Sequence, residues 1–274
     1  MHLLADYSQK LAALIDSVGT NEFPSCLVET LRVLVQCDDA TIVVYEGDNL
    51  PYVDYFEARA DGSSGLDQFI NGAFLLDPYY QSAMSGQFGF FRLNELAPSG
   101  FRDCEYYRSY YSVADYQDEC GFLISVRDDS FVNISLARLR APVEFSVEES
   151  ELLRDVTVLI KSLCAQHWRA GSDRDPSEPK LRAQLGAALE NFGKSVLTDR
   201  ETQVIKLILN GYSIAMAADK LCISAETVKL HRKHAYAKLA IGSQAELFHL
   251  FIDSLMSASH YSVGDPLEFY LGRV

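Results

Sequence analysis

Ser195–Leu255 reads SVLTDRETQVIKLILNGYSIAMAADKLCISAETVKLHRKHAYAKLAIGSQAELFHLFIDSL, and this stretch decides more about the chain than the rest of it together. Its punctuation predicts four short helices. Thr198-Asp-Arg-Glu201 has the spacing of a capping box, in which side chains satisfy the orphan amides of a helix start. Gly211 ends that first helix, because glycine takes the left-handed conformation without steric cost. A second helix runs to about Leu221, and the turn Cys222-Ile223-Ser224 delivers Ser224 as the next N-cap. Ser243-Gln-Ala-Glu246 is a further capping box and opens the fourth helix. Within the third helix, Val228, His231, Ala235 and Leu239 follow the spacing of one inward face. Lys229, Leu230 and Lys233 fall on the opposite side, with Arg232 at the border. So small a bundle cannot bury two lysines, so this face meets water or an anionic partner. A helix that presents its N-terminal half and its cations outward is what docking into a DNA major groove requires.

The totals set limits on everything else. With 274 residues, 48% of them hydrophobic, the chain is long enough for two domains with ordinary cores. No run approaches the ~18 apolar residues of a membrane span, and MHLLADYSQK lacks the pattern of a signal peptide. The six cysteines (Cys26, Cys37, Cys104, Cys120, Cys164 and Cys222) are scattered, with no C-x-x-C, which predicts reduced thiols in a cytoplasmic protein. Net charge is −14, yet residues 192–256 hold eight Lys/Arg against six Asp/Glu, and residues 257–274 hold one against two. Residues 1–191 therefore carry −15. DNA would repel that acidic body, so any contact with nucleic acid is confined to the C-terminal module.

The C-terminal residues resemble the GerE/LuxR-type helix-turn-helix of bacterial transcription factors, whose pattern includes LTxRExxVL, a glycine, IS-x-x-TVKxH and KL. The match runs through Leu197, Thr198, Arg200, Glu201, Val204, Gly211, Ala218, Leu221, Ile223, Ser224, Thr227, Val228, Lys229, His231, Lys238 and Leu239. It covers roughly a quarter of the chain, and so many spaced coincidences make it specific. One departure is Ile214-Ala-Met-Ala217, more apolar than the family's usual second helix. The resemblance implies a DNA-binding transcriptional regulator without cofactor or catalytic function, acting in the cytoplasm. Lys229, Leu230 and Lys233 would meet base edges, while Thr227, His231, Arg232 and Lys238 would hold phosphates. Two copies would read an inverted repeat as a homodimer, with Leu247, Leu250 and Phe251 of the fourth helix in the dimer seam. Activation, through RNA polymerase, is the outcome the family implies.

Upstream, two amphipathic patterns surround Leu11-Leu14-Val18 and Leu27-Leu31-Leu34. Thr41–Tyr45 is a β-branched run ended by the turn cluster Glu46–Asn49, and Tyr52–Ala60 can pair back antiparallel to it. A helical middle follows, broken at Pro78. Gly121–Val126 and Phe131–Leu139 form a second hairpin around Asp128-Asp129, and Ser146-Val-Glu-Glu149 caps a long helix reaching Trp168. Together these predict an α+β sensor domain over residues 1–169, of the PAS/GAF kind or like the autoinducer-binding domains of LuxR proteins. A linker and connecting helix would span 170–194, the small all-α four-helix module 195–257, and a tail without assigned role 258–274.

Nineteen of the 31 aromatic side chains lie between Tyr45 and Phe131. Tyrosines can line a small-molecule cavity, offering apolar area and a hydroxyl, and they can equally fill a core. Leu76-Asp77-Pro78-Tyr79-Tyr80 echoes the Asp-Pro step of acyl-homoserine-lactone receptors, whose aspartate binds the ligand amide. Asp-Pro is also a common helix cap, and the tryptophans of those receptors are missing, since Trp168 is the only one here. Asp77, Tyr79, Tyr80, Tyr107 and Tyr111 are the candidate contacts of a small-molecule effector. The alternative is a domain that only dimerises or binds a protein. His231 and His234 lack a third metal ligand nearby. No phosphoacceptor arrangement, catalytic triad or Gly-rich phosphate loop appears.

Overall fold

The computed structural model describes residues 3–57, 66–70, 72–111, 115–139, 144–170, 181–257 and 264–272. The expected linker at 171–180 and the end of the second expected strand, 58–60, lie outside them. The chain divides into two compact units, each assembled from separated segments. One comprises residues 1–64, 82–96 and 115–179, the other residues 65–81, 97–114 and 180–274.

The first unit is built on an antiparallel sheet of five strands in the order β2-β1-β5-β4-β3. β1 (Asp39–Glu46) and β2 (Tyr52–Phe56) are the first expected hairpin, β4 (Asp118–Arg127) and β5 (Ser130–Arg138) the second, and the two join through β1 and β5. β3 (Gly89–Arg92) adds an edge beside β4 that the sequence does not predict, because four residues are too few to display an alternating pattern. One sheet face carries Ile42, Val44, Phe122, Ile124, Val132, Ile134 and Leu136 into the core. Against it lie α1 (Leu3–Asp16), α2 (Phe23–Leu34) and α6 (Val147–Ala170), through Leu14, Leu27, Leu31, Leu153 and Ile160. The capping box of α6 closes as expected: Glu149 N–H donates to Ser146 Oγ at 3.1 Å, and Ser146 N–H to Glu149 Oε2 at 2.8 Å. Fully burying one such leucine stabilises a fold by about 1.5–3 kcal/mol.

The second unit contains α3 (Leu66–Ile70), most of α4 (Pro78–Met84), a 3-10 turn at Ala73–Leu76, turns through 97–111, and the C-terminal helices. The short α5 (Leu93–Leu96) belongs to the first unit. Pro78 begins α4 instead of breaking a helix, since its missing N–H is no loss at a first turn. α7 (Leu181–Asn191) precedes α8 (Asp199–Leu209), α9 (Ile214–Leu221), α10 (Ala225–Leu239) and α11 (Gln244–Ser257), and these last four are the expected bundle. α12 (Pro266–Tyr270) closes the chain and packs on α11, giving the tail a place in the unit.

Candidate nucleic-acid interface

Helix starts in this region are fixed by hydroxyls. Thr198 and Glu201 complete the box on α8, and Ser213 caps α9 by accepting from Met216 N–H. The end of α8 is a left-handed closure, with Gly211 at φ 80° and Tyr212 N–H donating to Leu207 O at 2.9 Å. Cys222 takes the left-handed conformation at the end of α9, the chain turns, and Ser224 accepts from Thr227 N–H at 3.1 Å to start α10.

Val228, Ala235 and Leu239 of α10 are buried. Lys229, Leu230 and Lys233 project from the opposite side, and Leu230 is 50% exposed. Thr227, Arg232 and His231 are half-buried at the border. His231 therefore stands beside the inward face and not within it, because three positions at its spacing already fill the small interior. Lys229, Arg232, Lys233, Tyr236 and Ala237 of α10 line an open groove of about 670 Å³, closed on its other side by Ile241, Gly242, Ser243 and Gln244. Sequence reasoning missed Tyr236, although it stands three residues after Lys233 and four after Arg232, on the same side of the helix. Burial pushes the Tyr236 phenol up, so it remains a neutral hydrogen-bond donor at neutral pH.

Not every expected cation faces outward freely. Lys229 Nζ lies 2.7 Å from Glu226 Oε1, an exposed pair one helical turn apart that a phosphate could replace at little cost. Lys238 Nζ lies 2.6 Å from Oε2 of Glu201, which is only 5% exposed. Burial alone would raise the Glu201 carboxyl, but hydrogen bonds from Lys238 and Thr198 outweigh it and hold that carboxyl below the usual range. Lys238 thus ties the end of α10 to the capping box of α8.

The candidate effector residues gather around one carboxylate. Asp77 Oδ1 accepts from the backbone N–H groups of Tyr79 at 2.8 Å and Tyr80 at 3.1 Å. Its Oδ2 accepts from the hydroxyls of Tyr106 at 2.9 Å and Tyr111 at 3.4 Å. Burial pushes the Asp77 carboxyl up, against the pull of those four donors. Tyr107 stacks on Tyr111 with centroids 5.5 Å apart and planes 5° off parallel. The structure so brings Asp77, Tyr79, Tyr80, Tyr107 and Tyr111 into one cluster and adds Tyr106, which was not among the candidate contacts.

A bundle in which a serine-capped scaffold helix turns into a helix with one exposed cationic side is that of helix-turn-helix DNA-binding proteins. The GerE model, bacterial regulatory proteins of the luxR family, matches residues 195–251. A chain from the exeN 3′ region of Aeromonas salmonicida, named as an HTH-type transcriptional regulator, is 36% identical over 196 residues, covering 69% of this chain and 98% of that one. The transcriptional activator protein ExaE of Pseudomonas putida is 40% identical over 58 residues, covering 21% of this chain and 27% of its own. Among solved structures, the VqsR LBD domain from Pseudomonas aeruginosa superposes with a TM-score of 0.52 at 20% identity, covering 60% of this chain and 96% of its own. The chain belongs to the LuxR family of DNA-binding bacterial transcriptional regulators. Among the described residues no helix is long and apolar enough to cross a membrane.

Proposed function

We propose that this protein reads promoter DNA through α10 as a cytoplasmic homodimer on an inverted repeat, with no catalytic activity of its own. The single observation that carries the reading is the exposed cationic side of α10, where Lys229, Lys233 and Leu230 stand clear of the bundle. Lys229, Leu230 and Lys233 meet base edges, while Thr227, His231 and Arg232 hold phosphates. Family resemblance offers Lys238 as a further phosphate contact, and its bond to Glu201 supports a positioning role for it. The proposal extends to activation through RNA polymerase. Duplexes enriched from a random pool by the protein provide the test. Lys229→Ala and Lys233→Ala should each weaken binding to them by about 1–3 kcal/mol, the cost of losing a base contact. Circular dichroism should stay unchanged. Unaltered affinity in the double variant would remove α10 from the interface.

Small-molecule control is part of the proposal, with the tyrosine cluster as receiver. A second reading, in which the region works without a ligand, is favoured by the saturation of Asp77: both of its oxygens already accept from the chain's own donors. A ligand must displace a tyrosine hydroxyl to use them. A thermal-shift series with acyl lactones and bacterial metabolites separates the two, since a binder at a hundred times its dissociation constant adds about 2.7 kcal/mol. Lactones are expected to give no shift. Failure of every compound would leave the ligand-free reading.

A further inference from the structure

Most cations of the DNA-reading module are already engaged. Lys194 donates to Asn191 Oδ1 at 2.9 Å, Arg200 to Gln203 Oε1 at 2.9 Å, and Lys206 pairs with Glu190 at 2.6 Å. Lys220 donates to the Tyr212 hydroxyl at 2.9 Å, Lys229 pairs with Glu226 at 2.7 Å, and Lys238 with Glu201 at 2.6 Å. Arg232 and Lys233 differ: neither makes a hydrogen bond or ion pair among the described residues. Both line the open groove of about 670 Å³, and so does Tyr236, whose hydroxyl likewise has no hydrogen bond among the described residues.

The opposite wall of that groove is largely taken up by its own bonds. Gly242 N–H donates to Glu246 Oε2 at 2.9 Å, and Glu246 N–H to Ser243 Oγ at 3.1 Å, so the start of α11 is capped from within the chain. Ser243 Oγ donates to Glu246 Oε1 at 3.1 Å, and Gln244 Nε2 to Ile208 O at 3.5 Å. The groove is therefore one-sided, with a strip of unengaged donors along α10 facing a wall that has satisfied itself.

Arg232 and Tyr236 are four residues apart on α10, which makes them neighbours on one side of the helix. Tyr236 also stands seven residues beyond Lys229, about 10 Å further along the axis at the rise of an α-helix. A major groove is about 12 Å wide. A helix that sets Lys229 on base edges has thus carried Tyr236 to the rim of the groove, where the phosphates stand. Burial pushes the Tyr236 phenol up, against the pull of Arg232, so the hydroxyl keeps its proton. A guanidinium offers a phosphodiester its charge and a fork of donors, while a phenol adds a single uncharged hydrogen bond. We propose that Arg232 and Tyr236 hold one backbone phosphodiester between them, the Tyr236 hydroxyl fixing how deeply α10 sits in the major groove. The inference rests on the DNA-reading function proposed above and gives Tyr236 a signature that no lysine or arginine shares. Salt dependence comes from cations that release counterions, and a neutral donor releases none.

The test uses the full chain with a duplex enriched from a random pool and a mixed-sequence duplex of equal length. Tyr236→Phe removes the hydroxyl and keeps the half-buried ring, and an unchanged melting temperature checks the fold. It should bind both duplexes about three- to tenfold more weakly, the range for one neutral hydrogen bond. Its slope of log K against log salt should equal that of the parent, whereas Arg232→Ala should lower the slope by about one. Replacing the phosphates of the enriched duplex one at a time by uncharged methylphosphonate then locates the contact. A single position should matter to the parent and cease to matter in both variants. Tyr236→Phe binding both duplexes as tightly as the parent, a loss confined to the enriched duplex, or two different positions for the two variants would each overturn the shared phosphodiester. If Lys229→Ala weakens binding and Tyr236→Phe does not, the DNA-reading function stands and this contact alone falls. If the parent binds no duplex, both fall.

Discussion

At the scale of single residues, Lys238 illustrates how position decides the use of a charge. Its ammonium lies against a carboxylate that the bundle has nearly closed off from water. Lys238→Met leaves the Glu201 carboxylate with only its Thr198 donors and should cost about 1–3 kcal/mol at neutral pH, the penalty for a buried charged group that loses its ion-pair partner. The sign with pH follows from the depressed Glu201 carboxyl. Its contribution is present above the ordinary carboxylate value and is lost as pH falls through the lowered one. Urea denaturation should therefore separate the variant from the parent at pH 7 and bring them together as pH falls through the lowered Glu201 value. Equal midpoints at pH 7 would show that the pair is only a surface contact. Asp77 works the other way: burial pushes its carboxyl up, so the fold tolerates its proton and ionisation costs stability as pH rises.

At the scale of elements, α11 departs from what family resemblance implies. Leu247 and Phe251, expected in a dimer seam, are both fully buried within the chain, and Leu250 is half-buried. Phe192 meets Phe251 edge-on at 5.2 Å, and α12 packs along the helix. Asp265, the N-cap of α12, fastens the closure. Its carboxylate accepts from Gly193 N–H and Ser195 N–H at 2.9 Å each, from Ser195 Oγ at 2.6 Å and from Leu267 N–H at 3.0 Å. Asp265→Ala leaves several of these donors unmet and should lower stability by about 1–3 kcal/mol. Amide exchange should then accelerate in residues 264–272 and at 193–195. Unchanged exchange there would mean that α12 is held by Leu267 and not by its cap. The end of α6 carries a different sensitivity. His167 stacks on Phe23 at 4.2 Å, and its Nδ1 accepts from Gly19 N–H at 3.0 Å, so the neutral ring is the one that fits. Burial lowers its pKa. A base with a depressed folded value keeps its full contribution above its ordinary value of about 6.5 and loses it as pH falls below. Denaturation midpoints measured from pH 7.5 to 5 should fall, and His167→Gln should flatten part of that fall. A parent slope identical to the variant's would clear His167 of the effect.

At the scale of the molecule, charge is divided between an acidic body and a mildly basic tip. Residues 1–191 carry −15 while residues 192–256 carry +2. Affinity for DNA should therefore fall steeply with salt, with a slope set by the few phosphates that the tip neutralises. Arg232→Ala should reduce the slope of log K against log salt by about one, as expected for a phosphate contact, whereas Lys238→Met should leave it unchanged. A reduced slope in Lys238→Met would return that lysine to the DNA.

Much of this was legible in the chain itself. The bundle announces itself because helix caps and glycine stops are local chemistry, readable at Thr198, Gly211, Ser224 and Ser243, and because a 3.6-residue period separates Val228 from Lys229. β-branched and apolar runs bounded by turn residues likewise expose β1, β2, β4 and β5. Tertiary structure alone decided the rest. β3 and its place beside β4 rest on pairing between residues some thirty positions apart. Lys238 finds Glu201 across 37 positions. Asp77 finds Tyr106 and Tyr111 across 29 and 34, and Ser99 finds Ser213 across 114. A local pattern says which side of an element is apolar or charged. What that side meets depends on contacts between distant segments, for which one sequence carries no periodic signal.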